Sequence, residues 1–220
     1  MARTVSKPSS SEIRFAALAV DMICFRIAEG VLQVLLGKIC SETNVFNGKW
    51  AHIGGLIRIE ETAEQAVVRL MSDKAGIDQI YKEQLYTFSE VNRDPRGRVV
   101  SVAYIALADG EHVQDLSKAR LETVWKPVEK VRGLAYDHDQ ITKVALERLK
   151  AKLMYTDIAR HLMPDEFTLS DLQKAYQAIV GELMDKRNFR KRVLALGLLR
   201  DTKRRVKKGV MRPASLYSFR

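Results

Sequence analysis

Cationic side chains that could bind a polyanion are concentrated at the end of the chain. Between Lys186 and Arg220 there are 13 lysines and arginines and one acidic residue, Asp201. Three apolar residues near the start of this segment have the i, i+4, i+7 spacing of a buried helical face: Phe189, Val193 and Leu196. The polar residues on the other sides of that helix are candidates for reading DNA bases: Arg187, Asn188, Arg190 and Lys191. Arg and Asn can make paired hydrogen bonds to guanine and adenine in a major groove, which admits one helix.

A two-stranded ribbon is predicted after this helix, over residues 198–206 and 214–219. Its tip carries further candidates for contacts with DNA: Lys207, Lys208 and Arg212. Lysines suit phosphate contacts, and a protruding arginine suits a narrow minor groove. An earlier helix is predicted from a Thr168-x-x-Asp171 cap to Val180, and Asp185 is predicted to cap the basic helix. Two helices followed by a basic hairpin are typical of a winged helix-turn-helix that binds double-stranded DNA.

The charge distribution divides the chain in two. Residues 1–150 contain 21 basic and 20 acidic side chains, whereas residues 151–220 contain 16 and 7. Since the excess charge follows a nearly neutral region, we predict a first domain over residues 12–150 and a DNA-binding domain over residues 151–220.

Strands and helices alternate in the first domain. Apolar runs predict strands over 16–26, 31–36, 80–88 and 98–107, with a hairpin turn at Gly30. Helical periodicity predicts helices over 61–74 and 140–154, and Asp137 and Asp139 are candidates to cap the second. This pattern predicts an α/β domain with a mixed sheet flanked by helices.

The composition excludes several other classes of protein. With 46% hydrophobic and 29% charged residues in a chain of 220, a folded globular protein is expected. The absence of an apolar run near 18 residues and the polar start argue against membrane insertion and secretion. Two cysteines, Cys24 and Cys40, fit a reducing cytoplasm and match no metal motif. We therefore expect a cytoplasmic protein with no metal or cofactor.

Residues 48–77 resemble the Nudix hydrolase signature, G-x5-E-x7-R-E-U-x-E-E-x-G-U, where U is a bulky aliphatic residue. The matching residues are Gly55, Glu61, Arg69, Met71, Gly76 and Ile77. The resemblance implies an α/β/α sandwich in which clustered glutamates hold divalent metal ions on a diphosphate. Three glutamate positions on one helical face are instead Leu70, Asp73 and Lys74, so their summed charge changes from about −3 to 0. We therefore predict no enzymatic activity, with weak residual hydrolysis through Glu60, Glu61 and Asp73 as an open alternative.

The whole chain resembles the Nudix-related transcriptional regulators, which combine a degenerate Nudix domain with a winged helix. The segments that carry this likeness are 92–104, Tyr136-Asp137-His138, 167–169, 186–193 and 212–217. The resemblance implies a homodimeric repressor of metabolic genes that releases DNA when a small-molecule effector occupies the former substrate pocket. In the branch that regulates NAD metabolism the effector is ADP-ribose; in another branch it is L-arabinose.

The candidates for effector contacts in this chain are Arg69, Arg96, Arg98 and His138. An arginine could grip a diphosphate with two hydrogen bonds. The family usually has arginine near position 39 and proline before the glycine pair, where this chain has Ile39 and Ile53. His52 and His138 are also compatible with purely local structural roles, and Arg96 and Arg98 with loop ion pairs.

Two other functions remain open at this point. One is a hydrolase of nucleoside-diphosphate sugars with an accessory domain. The other is a single-strand or RNA binder, which would need Phe189, Tyr217 or Phe219 exposed for base stacking. In the regulator hypothesis, the helix over 140–154 couples the pocket to the DNA-binding domain.

Overall fold

A computed structural model describes residues 15–78, 80–109, 119–207 and 213–220. Seven strands in this part of the chain form one sheet: β1 (Ala17–Ala28), β2 (Val31–Lys38), β3 (Trp50–Ala51), β4 (Ile53–Leu56), β5 (Tyr81–Phe88), β6 (Val99–Ala108) and β7 (Thr123–Pro127). The order is β3-β2-β1-β6-β5, with β4 also paired to β1 and β7 to β2. Because β1 and β6 are parallel and the other pairs antiparallel, the sheet is mixed.

Helices cover both faces of this sheet. Alternate residues of β1 point to opposite faces: Met22 and Cys24 pack with α1 (Ala63–Ala75), and Ile23 and Phe25 pack with α2 (His138–Lys152). A two-residue turn with positive φ at Glu29 (53°) and Gly30 (76°) joins β1 to β2, as a twisted hairpin requires. The result is the predicted α/β/α sandwich.

A smaller domain follows, made of β8 (Phe167–Thr168), α3 (Leu169–Val180), α4 (Lys186–Ala195), β9 (Leu199–Val206) and β10 (Ala214–Phe219). Its strands are ordered β8-β10-β9. The capping box of α3 between Thr168 and Asp171 and the Asp185 cap of α4 form as predicted. These elements give the predicted winged helix, whose core is continuous with that of the sandwich through the apolar residues after α2.

The bounds of the two helices predicted in the first domain differ from the structure by up to two residues, and Asp137 and Asp139 lie at the N-terminal end of the second, as predicted. The helix predicted over 140–154 begins at His138 and ends at Lys152. Asp137 makes no capping bond because its carboxylate pairs with Arg93, and Asp139 accepts hydrogen bonds from the Gly133 and Leu134 amides. The short strands β3, β4, β7 and β8 were not predicted, since two to five residues carry little periodic signal.

The helices of the described residues lack the combination of length and apolar character that crossing a membrane requires.

Candidate functional site

A cavity of about 340 Å³ opens at one end of the sandwich. Its walls come from β1, β2, β4, the end of α1, the loop before β6 and the start of α2. The polar side chains that line it are Asp21, Lys38, Ser41, Asn44, His52, Lys74, Arg93, Asp94, Arg96, Tyr136 and His138. Because strand ends and a helix start converge here, residues far apart in sequence can face one ligand.

The floor of the cavity is a buried ion pair. The Arg93 side chain is 4% exposed, and its guanidinium donates to Asp137 at 2.7 and 2.8 Å and to Asp21 at 3.2 Å. Asp21 also accepts from the Ser101 hydroxyl at 2.6 Å and faces His138 Nε2 at 3.4 Å. Burial raises the pKa of Asp21, but His138, Ser101 and Arg93 together hold it well below its usual value. Asp21 is therefore an anion held by hydrogen bonds from its neighbours.

The two histidines of the cavity have defined tautomers. The Thr142 hydroxyl donates its proton to the carbonyl of His138 at 2.8 Å. His52 Nε2 lies 2.8 Å from the Thr142 hydroxyl oxygen, so it must be the donor in that hydrogen bond. His138 Nδ1 accepts the backbone N–H of His52 at 2.9 Å, which leaves its Nε2–H facing Asp21. His52 Nδ1 is buried and has no partner among the described residues. His52 is thus neutral and structural.

Neutral His52 makes stability depend on pH. Burial and the nearby His138 lower its pKa to about 3, whereas an unfolded histidine titrates near 6.5. Below pH 6.5 the unfolded state binds a proton that the folded state does not, so stability is lost as pH falls from 6.5 towards 3, by up to about 1.4 kcal/mol per unit. Urea unfolding between pH 7 and 4.5 should show this slope. It should be flatter in His52→Gln, whose amide can still bond Thr142; an equal slope in both proteins would contradict the assignment.

Tyr136 forms the aromatic wall of the cavity in a strained conformation. Its φ is +55°, a region that side chains other than glycine rarely adopt. The hydroxyl accepts from Asn44 Nδ2 at 2.8 Å, the Phe46 ring meets it edge-on at 4.6 Å, and the Arg96 guanidinium lies 5.4 Å from the ring centre. These contacts stabilise the unfavourable backbone conformation of Tyr136, and such strained residues are common at binding sites.

Two of the three signature glutamate positions of α1 carry no carboxylate, since they are Leu70 and Lys74. Leu70 is 5% exposed and packs beneath the sheet, so this face serves the core, as predicted. The Lys74 ammonium enters the cavity and donates to the Gly54 carbonyl at 2.5 Å. Added Cβ atoms would lie 2.2 Å from Asp21 Oδ1 at Gly54 and 3.0 Å from Leu70 at Gly55, so the strand needs both glycines to approach α1 and β1.

Two signature positions still carry a carboxylate, Glu61 and Asp73, and that of Glu61 is already paired. Glu61 accepts from Arg69 Nε at 2.8 Å, from Arg69 Nη2, and from the Arg58 amide at 2.8 Å. Chiefly the hydrogen bonds from Arg69 lower the pKa of Glu61 to about 2. The described residues contain no group of three His, Cys, Asp or Glu placed to hold a metal ion. With a lysine at one ligand position and an arginine on the carboxylate, these residues do not fit the divalent ion of Nudix hydrolases.

The predicted effector residues fall into two groups. Arg96 and His138 line the cavity, and Arg96 is held there by both oxygens of Asp94 at 3.0 and 2.7 Å. Arg69 and Arg98 are not among the residues that line it, and their contacts with an effector stay predictions. Arg69 is turned to Glu61, and Arg98 donates to the carbonyls of Ser89 and Glu90 outside. Sequence reasoning missed the roles of Asp21, Arg93, Lys38 and Tyr136, because their partners are distant in sequence.

The basic helix has the expected orientation. Phe189 and Val193 of α4 are buried against α3, and the four predicted base-reading residues, Arg187, Asn188, Arg190 and Lys191, are exposed. Helical geometry places Arg187 and Lys191 almost opposite the buried pair, while Arg190 lies beside the wing with Ser215 and Tyr217. Their contacts with DNA remain predictions. Lys207, at the end of β9, is exposed, and Lys208 and Arg212 lie outside the described residues.

Comparison with known proteins supports the two-domain reading. The NUDIX domain family matches residues 17–149, and the family described as NrtR DNA-binding winged helix domain matches residues 159–219. The chain is 34% identical over 206 residues to the ADPR responsive transcriptional repressor NtrR of Acinetobacter baylyi, covering 92% of this chain and 81% of that protein. It is also 34% identical over 127 residues to the ADP-ribose pyrophosphatase of Methanocaldococcus jannaschii, covering 58% and 71%.

Solved structures agree with this assignment. Shewanella oneidensis NrtR complexed with a 27mer DNA superposes with a TM-score of 0.80 at 32% identity, covering 92% of this chain and 93% of that one. The NUDIX domain of the same protein complexed with ADP ribose superposes with a TM-score of 0.56 at 32% identity, covering 64% and 94%. The predicted family is thereby confirmed: the chain belongs to the NrtR family of transcriptional regulators, in which a Nudix domain precedes a winged helix.

Proposed function

We propose that this protein is a transcriptional repressor that binds double-stranded DNA through α4 and the wing and releases it when ADP-ribose occupies the cavity. The effector module extends over residues 12–150 and the DNA module over residues 151–220. The observation that carries the proposal is a cavity with a lysine at a signature glutamate position, joined through one core to an exposed basic helix. The relatives that respond to ADPR or were crystallised with DNA and ADP ribose have the same layout.

The chemistry of the cavity favours ADP-ribose over a neutral sugar. Four cationic side chains line it, Lys38, Lys74, Arg93 and Arg96. Lys38, Arg93 and Arg96 are paired with carboxylates, whereas Lys74 is hydrogen-bonded to a backbone carbonyl. An ammonium with donors left for a ligand suits a diphosphate, whereas L-arabinose carries no charge that would pair with it. The Tyr136 ring adds an apolar surface suited to a base or ribose.

The same residues argue against a hydrolase. A relative is an ADP-ribose pyrophosphatase, but this chain has Lys74 in place of a signature glutamate, and Glu61 is paired with Arg69. We propose that ADP-ribose is bound and not cleaved. Incubation of the protein with ADP-ribose and Mg²⁺ or Mn²⁺ should give no AMP, and turnover that Glu61→Gln abolishes would refute this.

Helix α2 is positioned to connect the two modules. Its first residue, His138, lines the cavity, and residues at its other end hold the winged helix. Lys150 Nζ donates to the Val180 carbonyl at 2.9 Å, and the Tyr176 hydroxyl donates to the Leu153 carbonyl at 3.2 Å. We propose that the protein acts in the cytoplasm as a homodimer whose recognition helices face half-sites about one helical turn apart, so a small rotation of α2 disrupts the register. Solution scattering with and without ADP-ribose should detect this change.

Titrations with promoter DNA test the proposed binding to double-stranded DNA. The logarithm of the association constant should fall linearly with the logarithm of the salt concentration, with a slope of about −0.9 per phosphate contacted. ADP-ribose should lower the affinity for DNA. Arg187→Ala should cost about 1–3 kcal/mol and relax sequence preference, whereas Lys207→Ala should weaken binding to all duplexes alike. Lys143→Ala, on the exposed side of α2, serves as the control. Equal affinity for promoter and random duplex at every salt concentration would reject the proposed function.

A further inference from the structure

The Lys74 ammonium lies in the cavity wall where α1 ends. It lies on the last turn of α1, at a position where the Nudix signature has a glutamate. Its Nζ is 2.5 Å from the Gly54 carbonyl and 3.6 Å from where a Cβ on Gly55 would lie. The glycine pair therefore lets this positive charge sit directly against the strand that borders the cavity.

Lys74 differs from the other cations of the cavity in its partners. Lys38 pairs with Glu122, Arg93 with Asp21 and Asp137, and Arg96 with Asp94. Within the described part of the chain, the hydrogen-bond acceptor of Lys74 is one backbone carbonyl. An ammonium has three N–H donors, so two of them are left to face the cavity.

The Lys74 side chain is partly buried in the cavity wall, so its remaining donors are available to a ligand in the cavity. Burial lowers the pKa of Lys74, and Asp21 opposes that shift. The Asp21 carboxylate accepts from Arg93 and Ser101 and faces His138, and among the described residues it makes no hydrogen bond with Lys74. A partly buried ammonium with donors left for a ligand is suited to a negatively charged group.

We infer that the Lys74 ammonium binds the diphosphate of ADP-ribose directly, so that effector binding needs no divalent ion. This inference rests on the proposed function. In place of glutamates that recruit a mobile cation, the chain carries a cation fixed to α1. The misfit between these residues and a metal then has a functional reason, since the positive charge required by the diphosphate is supplied by the protein.

Calorimetric titration of ADP-ribose into the full chain tests the inference. The dissociation constant should be the same in EDTA and in Mg²⁺. Lys74→Met and Lys74→Gln should each weaken binding about tenfold to a hundredfold, the range for hydrogen bonds from a charged donor. Lys74→Glu should weaken it further by repulsion. Lys143→Met is the matched control, because this lysine is exposed on α2, outside the cavity, and it should bind as the wild type does.

Stability measurements separate binding from folding. Lys74→Met removes a partly buried charge, so its melting temperature should equal or exceed that of the wild type while its affinity falls. Wild-type affinity in both neutral variants, or wild-type binding that appears only with Mg²⁺, would overturn the inference and leave the proposed effector intact. No binding of ADP-ribose to the wild type in either buffer would overturn the proposed effector itself.

Discussion

Replacing Arg93 by methionine should lower the free energy of unfolding by about 3–5 kcal/mol, the cost of breaking one side of a buried ion pair. The guanidinium is 4% exposed and joins Asp21 of β1 to Asp137 before α2. Without it, Asp21 stays buried with an uncompensated charge, and the loop that borders the cavity loses its attachment to both elements. Urea unfolding monitored by circular dichroism measures the change.

Two further variants identify the cause of that loss. Arg98→Met changes an exposed arginine of the same loop, whose bonds go to two backbone carbonyls, and it should cost less than about 1 kcal/mol. Adding Asp21→Asn to Arg93→Met should recover part of the stability, because the orphaned charge is removed. A single Arg93→Met variant as stable as Arg98→Met would show that the ion pair does not hold the cavity together.

The contrast between Arg93 and its neighbours shows where sequence reasoning ends. The segment over 92–104 was singled out by its likeness to the Nudix-related regulators, and Arg96 and Arg98 were chosen from it as candidate effector contacts. The fold sends Arg93 inward, Arg96 to the cavity edge and Arg98 to the surface. That choice depends on Asp21 and Asp137, which are 72 and 44 residues away. No local pattern encodes a partner at that distance.

Local signals, in contrast, were sufficient where the interaction itself is local. The caps at Thr168 and Asp185 involve residues three positions apart, and both form. The periodic apolar residues of α1, including Leu70, predicted the packed face correctly. Asp137 takes the N-cap position of α2 but makes no side-chain capping bond, because a long-range ion pair competes for the same carboxylate. The sequence therefore indicated the region of the chain that holds the cavity, but it could not predict the buried ion pair at the cavity floor.

Lys74 illustrates a limit of a different kind. Comparison with the signature showed that a glutamate had been replaced and that a metal would be disfavoured. The sequence could not show that the ammonium would enter the cavity, because this depends on the approach of Gly54 and Gly55 to α1. A lysine that replaces a glutamate can equally lie in solvent. Only the packing of the glycine pair against α1 places this ammonium where it could bind a ligand.

The second large effect is expected from Phe189→Ala in α4, which should cost about 3–5 kcal/mol of stability and most of the DNA affinity. Phe189 is 5% exposed and meets the Tyr176 ring edge-on at 5.2 Å. A ten-residue helix rich in charged side chains is marginal alone, so α4 depends on this contact, on Val193 and on the Asp185 cap. Urea unfolding and promoter titration on the same samples give both numbers.

The matched control is Leu194→Ala in the same helix, where the side chain is 40% exposed and the expected cost is below about 1 kcal/mol. Arg187→Ala should weaken DNA binding with unchanged stability, so three variants of one helix separate packing from recognition. If Phe189→Ala instead weakened DNA binding with unchanged stability, the ring would contact nucleic acid directly. That outcome would favour base stacking on exposed aromatics, and with it a single-strand binder, over insertion of α4 into a major groove.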